Sequence, residues 1–144
     1  MDDPSKVRTP ARRKARKRAL DVLYEAELRQ QPADAVLAEY VARLEQPRPS
    51  HLPYAVTLVE GITAHRDRID ELIASYAEGW TLDRMPPVDR NLARIAIYEL
   101  LWVDEIDPPV AITEAVELAR QLSTDDSPRF LNGLLGRIAE FATR

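Results

Sequence analysis

The chain has 144 residues, of which 45% are hydrophobic and 31% charged, with a net charge of −4 and no cysteine. That length suffices for one globular domain that buries roughly two-thirds of its extended-chain surface. The lack of cysteine excludes a disulfide framework, a thiolate metal site and a cysteine nucleophile, and no apolar run approaches the roughly 20 residues of a membrane span.

Charge is distributed unevenly. Residues 1–18 carry eight Lys/Arg against two Asp, while residues 19–144 carry twelve against twenty-two Asp/Glu. A basic arm on an acidic body implies an anionic ligand at the arm and a basic protein at the body. No signal-peptide pattern follows Met1, so the expected location is the cytoplasm. The expected organisation is a flexible basic arm over 1–9 and a single all-helical domain over 10–144.

The first predicted helix runs from Pro10 to Gln30, with Thr9 as N-cap and Pro10 at the first helical position. Ala15, Ala19, Val22, Leu23 and Ala26 form its buried stripe. Arg13, Lys17, Leu20 and Tyr24 line a neighbouring face, so cations stand beside an aromatic ring. Six of the seven residues from Arg12 to Arg18 are cationic. Like charges at i, i+4 cost an isolated helix roughly 0.2–0.5 kcal/mol per pair, and cations near a helix N-terminus are disfavoured as well. A run that opposes its own helix is better explained by a polyanionic partner than by a solvated face.

A second helix follows Asp34, with Val36, Leu37, Tyr40, Val41 and Leu44 on one face. Pro47, Pro49 and Pro53 then make a stiff loop. From Tyr54 to Tyr76 the apolar residues keep a helical period, which predicts one long helix kinked near Gly61, with two helices broken near Gly61 as the alternative. Glu78 to Pro87 is a connector with Trp80 and Leu82 tucked into the core. The helix from Val88 to Val103 is apolar on most sides and belongs in the middle of a bundle, so its Glu99 must be partnered. Helix six, Val110 to Leu122, buries Val110, Ala115, Val116, Leu118, Ala119 and Leu122. Ser127 as N-cap and Pro128 at the first position open the last helix, which turns Leu131, Leu134, Leu135, Ile138 and Phe141 inward. No strand pattern occurs. The chain reads as an all-α bundle of six to seven helices.

No catalytic site is visible, and no cofactor or metal is called for. His51 and His65 have no third ligand spaced for zinc and read as surface or structural histidines. The acidic clusters at Asp2-Asp3, Asp104-Glu105-Asp107 and Asp125-Asp126 read as solvated turns. There is no glycine-rich phosphate loop, and Ser127 reads as a helix cap, not a nucleophile. At the start of the last helix, Asp125 and Asp126 discourage phosphate, whereas amine-bearing base edges would be welcome. Arg129 is placed for a nearby phosphate, and Phe130 serves either as a stacking ring or as core.

Three blocks carry a resemblance that runs through nearly the whole chain. They are Ala11-Arg12-Arg13-Lys14-Ala15-Arg16 through Ala19-Leu20 to Leu23-Tyr24; Val88-Asp89-Arg90 with Arg94-Ile95-Ala96-Ile97-Tyr98-Glu99-Leu100; and Ala111-Ile112-Thr113-Glu114-Ala115-Val116-Glu117-Leu118-Ala119 followed by Asp126-Ser127, Phe130 and Asn132-Gly133. In this order and at these spacings the chain resembles the NusB family of bacterial transcription antitermination factors. Ser123 stands where the family usually has glycine, Asp125 where it has glutamate, and Asn91-Leu92-Ala93 where a more apolar triplet is usual.

The resemblance implies two packed helical bundles and binding of the boxA element of nascent ribosomal-RNA transcripts. It implies action as a heterodimer with NusE, a small-subunit ribosomal protein, on RNA polymerase together with other Nus factors. Family members occur as monomers and homodimers, and both states stay open here. The implied RNA-binding residues are Arg12, Arg13, Arg16, Lys17, Tyr24, Asp126, Ser127, Arg129 and Phe130, and Asp89 is implied in the NusE-facing surface. Single-stranded RNA is expected to lie across the first helix and the loop before the last. Two other classes are carried alongside: a purely protein-binding scaffold, and a fragment of a ribosomal-RNA cytosine methyltransferase.

Overall fold

The computed structural model describes residues 4–142. Seven α-helices and one 3-10 turn are present among them, without strands. They are α1 (Pro4–Arg29), α2 (Ala33–Ala42), α3 (Leu52–Ala64), α4 (Arg66–Tyr76), the 3-10 turn Leu82–Arg84, α5 (Pro87–Trp102), α6 (Pro108–Leu122) and α7 (Ser127–Phe141). The chain divides into two compact units, residues 1–63 and 64–144.

In the first unit α1 starts six residues ahead of the expected Pro10, so Thr9 is not its cap and Pro10 stands inside the helix. Of the expected arm, residues 1–3 lie outside the described residues and residues 4–9 form the opening turns of α1. The expected stripe of Ala15, Ala19, Val22, Leu23 and Ala26 is buried, and Leu20, expected beside the cations, is buried with it. Helix α1 packs on α2, which adds Val36 and Leu37 to the core. Arg29 clasps the pair by reaching Glu39 across 2.6 Å. Leu52, Ala55, Leu58, Val59 and Ile62 form the buried face of α3.

The long helix expected over 54–76 is two helices, broken at His65 rather than at Gly61. His65 leaves helical geometry at φ −112° and ψ 19°. Its imidazole stacks on Trp102 with ring centroids 3.9 Å apart, which gives His65 a packing role. No group of acidic residues and histidines suited to a metal occurs among the described residues.

In the second unit α5 contacts α4, α6 and α7, the central position its apolar circumference requires. Its polar residues are partnered inside. Arg94 holds Asp70 of α4 through Nε and Nη2, at 2.9 and 3.2 Å, and donates from Nη1 to Asn91 at 2.9 Å. Glu99 is buried and partnered, as expected. Arg137 of α7 donates two hydrogen bonds to the carbonyl of Tyr76 at the end of α4.

Some apolar expectations fail at the helix ends. Val110, Leu122 and Phe141 are exposed, and so is Trp80 at 50%. The terminal turns of α6 and α7 run past the buried layer, and Trp80 sits in the loop that enters the 3-10 turn. No helix among the described residues is long and apolar enough to cross a membrane.

Candidate nucleic-acid interface

At 100° per residue, Arg13, Lys14, Lys17 and Arg18 fall on the side of α1 opposite the alanine–leucine stripe, and all four are exposed. Arg18 also pairs with Asp21 at 3.0 Å. Arg16 stands apart from them. It is i+4 from Arg12 and i−4 from Leu20, on the edge of the buried stripe, and only 2% of it is exposed. Arg16 is therefore not part of this exposed cationic face, whereas Lys14 and Arg18, not singled out in the sequence, are. Arg12 is half-buried, its guanidinium 4.2 Å from the centre of the Tyr54 ring. That cation–π contact ties α1 to α3. Tyr24 is half-buried one turn beyond Leu20.

In the second unit Asp89, Asp126, Ser127, Arg129 and Phe130 come together. Asp89 is not a surface residue: it is 3% exposed in the first turn of α5. Its Oδ1 accepts from Ser123 Oγ at 2.6 Å and its Oδ2 from Ser127 Oγ at 2.8 Å. Ser127 is 1% exposed and accepts in turn from the Thr124 backbone N–H and lies 2.7 Å from the Thr124 hydroxyl. Its single hydroxyl proton is committed to Asp89, so Ser127 neither caps α7 nor faces outward. A buried carboxylate needs such donors to replace the hydrogen bonds it loses to water. Asp89 and Ser127 thus shape the loop from inside, and the outward residues are Asp126 and Arg129, with Phe130 half-buried. Asp126 occupies the N-cap position of α7 without a side-chain capping bond.

Trp80 and Arg84 extend this cluster. The Trp80 ring meets Phe130 edge-on, with centroids 6.1 Å apart and planes at 65°. A cleft of about 600 Å³ is lined by both rings together with Arg84, Thr124, Asp126 and Arg129. Gly79, at φ +76°, makes the turn before the tryptophan. Arg90 fixes the turn after it by donating to the Leu82 and Met85 carbonyls at 3.0 and 2.8 Å. The Gly79-Trp80 pair and the arginine two residues ahead of Pro86-Pro87 were the available sequence signals, but a large aromatic in a connector reads first as core.

Exposed cations and half-exposed rings on a helical scaffold can hold phosphates and stack bases; no nucleophile–base pair stands among these residues. The chain matches the family model for the NusB family over residues 13–140. It is 81% identical over 135 residues to the transcription antitermination protein NusB of Salinispora arenicola, covering 94% of this chain and 99% of that one. The Saccharopolyspora erythraea protein of the same name is 59% identical, covering 93% and 90% of the two chains. Among solved structures, T. maritima NusB aligns with a TM-score of 0.82 at 34% identity over 98% of this chain and 94% of that one. The NusB chain of a complex of antitermination factors NusB and NusE with double-stranded RNA aligns with a TM-score of 0.80 at 26% identity, over 92% and 98%. On the family match and on these identities, the chain belongs to the NusB family.

Proposed function

We propose that the chain is a non-enzymatic, cytoplasmic transcription antitermination factor. It binds the boxA element of nascent ribosomal-RNA transcripts as a heterodimer with NusE, and the pair joins RNA polymerase and other Nus factors. The observation that carries this reading is the exposed row Arg13, Lys14, Lys17 and Arg18 on a chain whose net charge is −4. Relatives named for antitermination, and a relative solved with NusE and RNA, support it.

In this reading α1 supplies phosphate contacts, while Asp126, Arg129 and Phe130 supply contacts to bases and their flanking phosphate. Arg16, Ser127 and Asp89 act from beneath the surface. With about five phosphates neutralised, log K should fall against log salt with a slope near −3.5 for a single strand. Titration of boxA-like RNA at several salt concentrations, with and without NusE, tests the reading. A salt-independent affinity, or equal affinity for a scrambled RNA, overturns it. Pull-downs of the partner proteins with and without nuclease separate RNA tethering from a protein-only scaffold.

A further inference from the structure

We propose that Trp80 and Phe130 form a stacking platform for one base of a single-stranded RNA, with Arg84 and Arg129 holding the phosphates on either side of it. The inference rests on the RNA-binding reading above and adds to it Trp80 and Arg84.

Half of Trp80 is exposed, although a large aromatic ring gains most from burial. Its contact with Phe130 is edge-to-face, so Phe130 covers at most one face of the indole and leaves another for a planar partner. The backbone that carries the ring is fixed on both sides. The Trp80 main-chain N–H donates to the Ala77 carbonyl at 3.4 Å, Gly79 makes the turn before it, and Arg90 pins the turn that follows. A platform ordered before binding loses little conformational entropy on binding. Arg84 and Arg129, both exposed, line the same cleft. Two cations sharing a cleft with a half-exposed indole suit a polyanion that carries flat bases. An acidic peptide would satisfy the cations and leave the indole face without a planar partner.

The chain has two tryptophans, Trp80 and Trp102, so fluorescence can isolate the platform. A single-stranded boxA-like RNA of twelve nucleotides, titrated into the full chain, should quench tryptophan emission. The quench should persist in Trp102→Phe and vanish in Trp80→Phe, whose affinity stays within about threefold because a ring remains. Trp80→Ala should bind about 5- to 150-fold more weakly, the range for one lost base–aromatic stack, with an unaltered salt slope. Arg84→Gln should make the slope shallower by about 0.7. If Trp80→Ala binds RNA with wild-type affinity, or weakens it while Trp80 emission never responds to RNA, the platform is wrong and the RNA-binding reading stands. Quenching by polyglutamate but not by RNA would make the cleft a protein-docking surface and also overturn the platform. Absence of any RNA binding by the unmodified chain, both alone and with NusE, removes both readings.

Discussion

Ser127 donates its hydroxyl proton to Asp89 Oδ2 across 2.8 Å, which fastens the first turn of α7 to the first turn of α5. The two residues are 38 positions apart in the chain, and both are buried. Ser123 completes the clasp on the other carboxylate oxygen, so one aspartate holds both ends of the loop that presents Asp126. This accounts for a serine at 123, since a glycine there would leave Oδ1 without that donor.

Removal of the carboxylate strands two hydroxyls. Asp89→Ala should therefore destabilise the chain by about 2–4 kcal/mol, from lost charge-assisted bonds and unsatisfied buried donors. Ser127→Ala should cost about 1–2 kcal/mol. In a double-mutant cycle by urea denaturation the two losses should fall well short of adding. Additive losses would show that the serine and the aspartate do not act together.

Proline located the starts of three helices in the sequence but misplaced that of α1, which begins six residues before Pro10. Pro87, Pro108 and Pro128 placed α5, α6 and α7 within two residues of their observed starts. The break at His65 carries neither glycine nor proline, and the apolar period passes through it without interruption. Gly61, the obvious breaker, sits inside α3 because an isolated glycine is tolerated there. Within the site, the exposure of Arg13 and Lys17 followed from helical spacing. The burial of Arg16 turned on its distance from Leu20, which a run of identical charges conceals. The burial of Asp89 depends on partners 34 and 38 residues away, a relationship that no local pattern encodes.

Gly79 allows a clean test of backbone conformation. Its φ of +76° is one that side-chain-bearing residues rarely adopt, yet a Cβ there would meet nothing within 4 Å. Gly79→Ala should thus cost about 1–2 kcal/mol from backbone strain alone. Since the turn directs Trp80, the variant should also shift the tryptophan emission maximum. Unchanged stability by thermal melting would mean that the turn readily adopts another conformation.

His51 should make the fold sensitive to mild acid. Its Nε2 is buried without a hydrogen-bond partner. Burial first, and then the positive charges of Arg18 and Lys14, hold its pKa below the ordinary value near 6.5. As pH falls through about 6.5 the unfolded chain takes up this proton before the folded one does. This contribution to stability is therefore complete above that value and declines from there down to the folded-state pKa. His51→Gln should flatten that part of the stability–pH curve. Lys14→Gln should raise the imidazole midpoint followed by NMR titration. A midpoint at or above 6.5 in the unmodified protein would contradict the assignment.

The cations of α1 divide into two kinds with opposite expected effects. Arg13 and Lys17, and likewise Lys14 and Arg18, are like-charged pairs at i, i+4, and each pair disfavours the helix by roughly 0.2–0.5 kcal/mol. Replacing all four with glutamine removes this repulsion together with the exposed Arg18–Asp21 pair and the interaction that Arg13 makes, exposed contacts worth at most about 1 kcal/mol each. Thermal stability should therefore change by no more than about 2 kcal/mol. RNA affinity should collapse, and the salt slope should become shallower by about 2.8, at about 0.7 for each of the four lost phosphate contacts. Arg16→Gln should do the reverse. Loss of a buried, partnered guanidinium should cost about 1–3 kcal/mol of stability, while the molecules that remain folded keep their affinity and their slope. If Arg16→Gln lowered the slope and the fourfold variant did not, the phosphate-binding face of α1 would have been assigned to the wrong side of the helix.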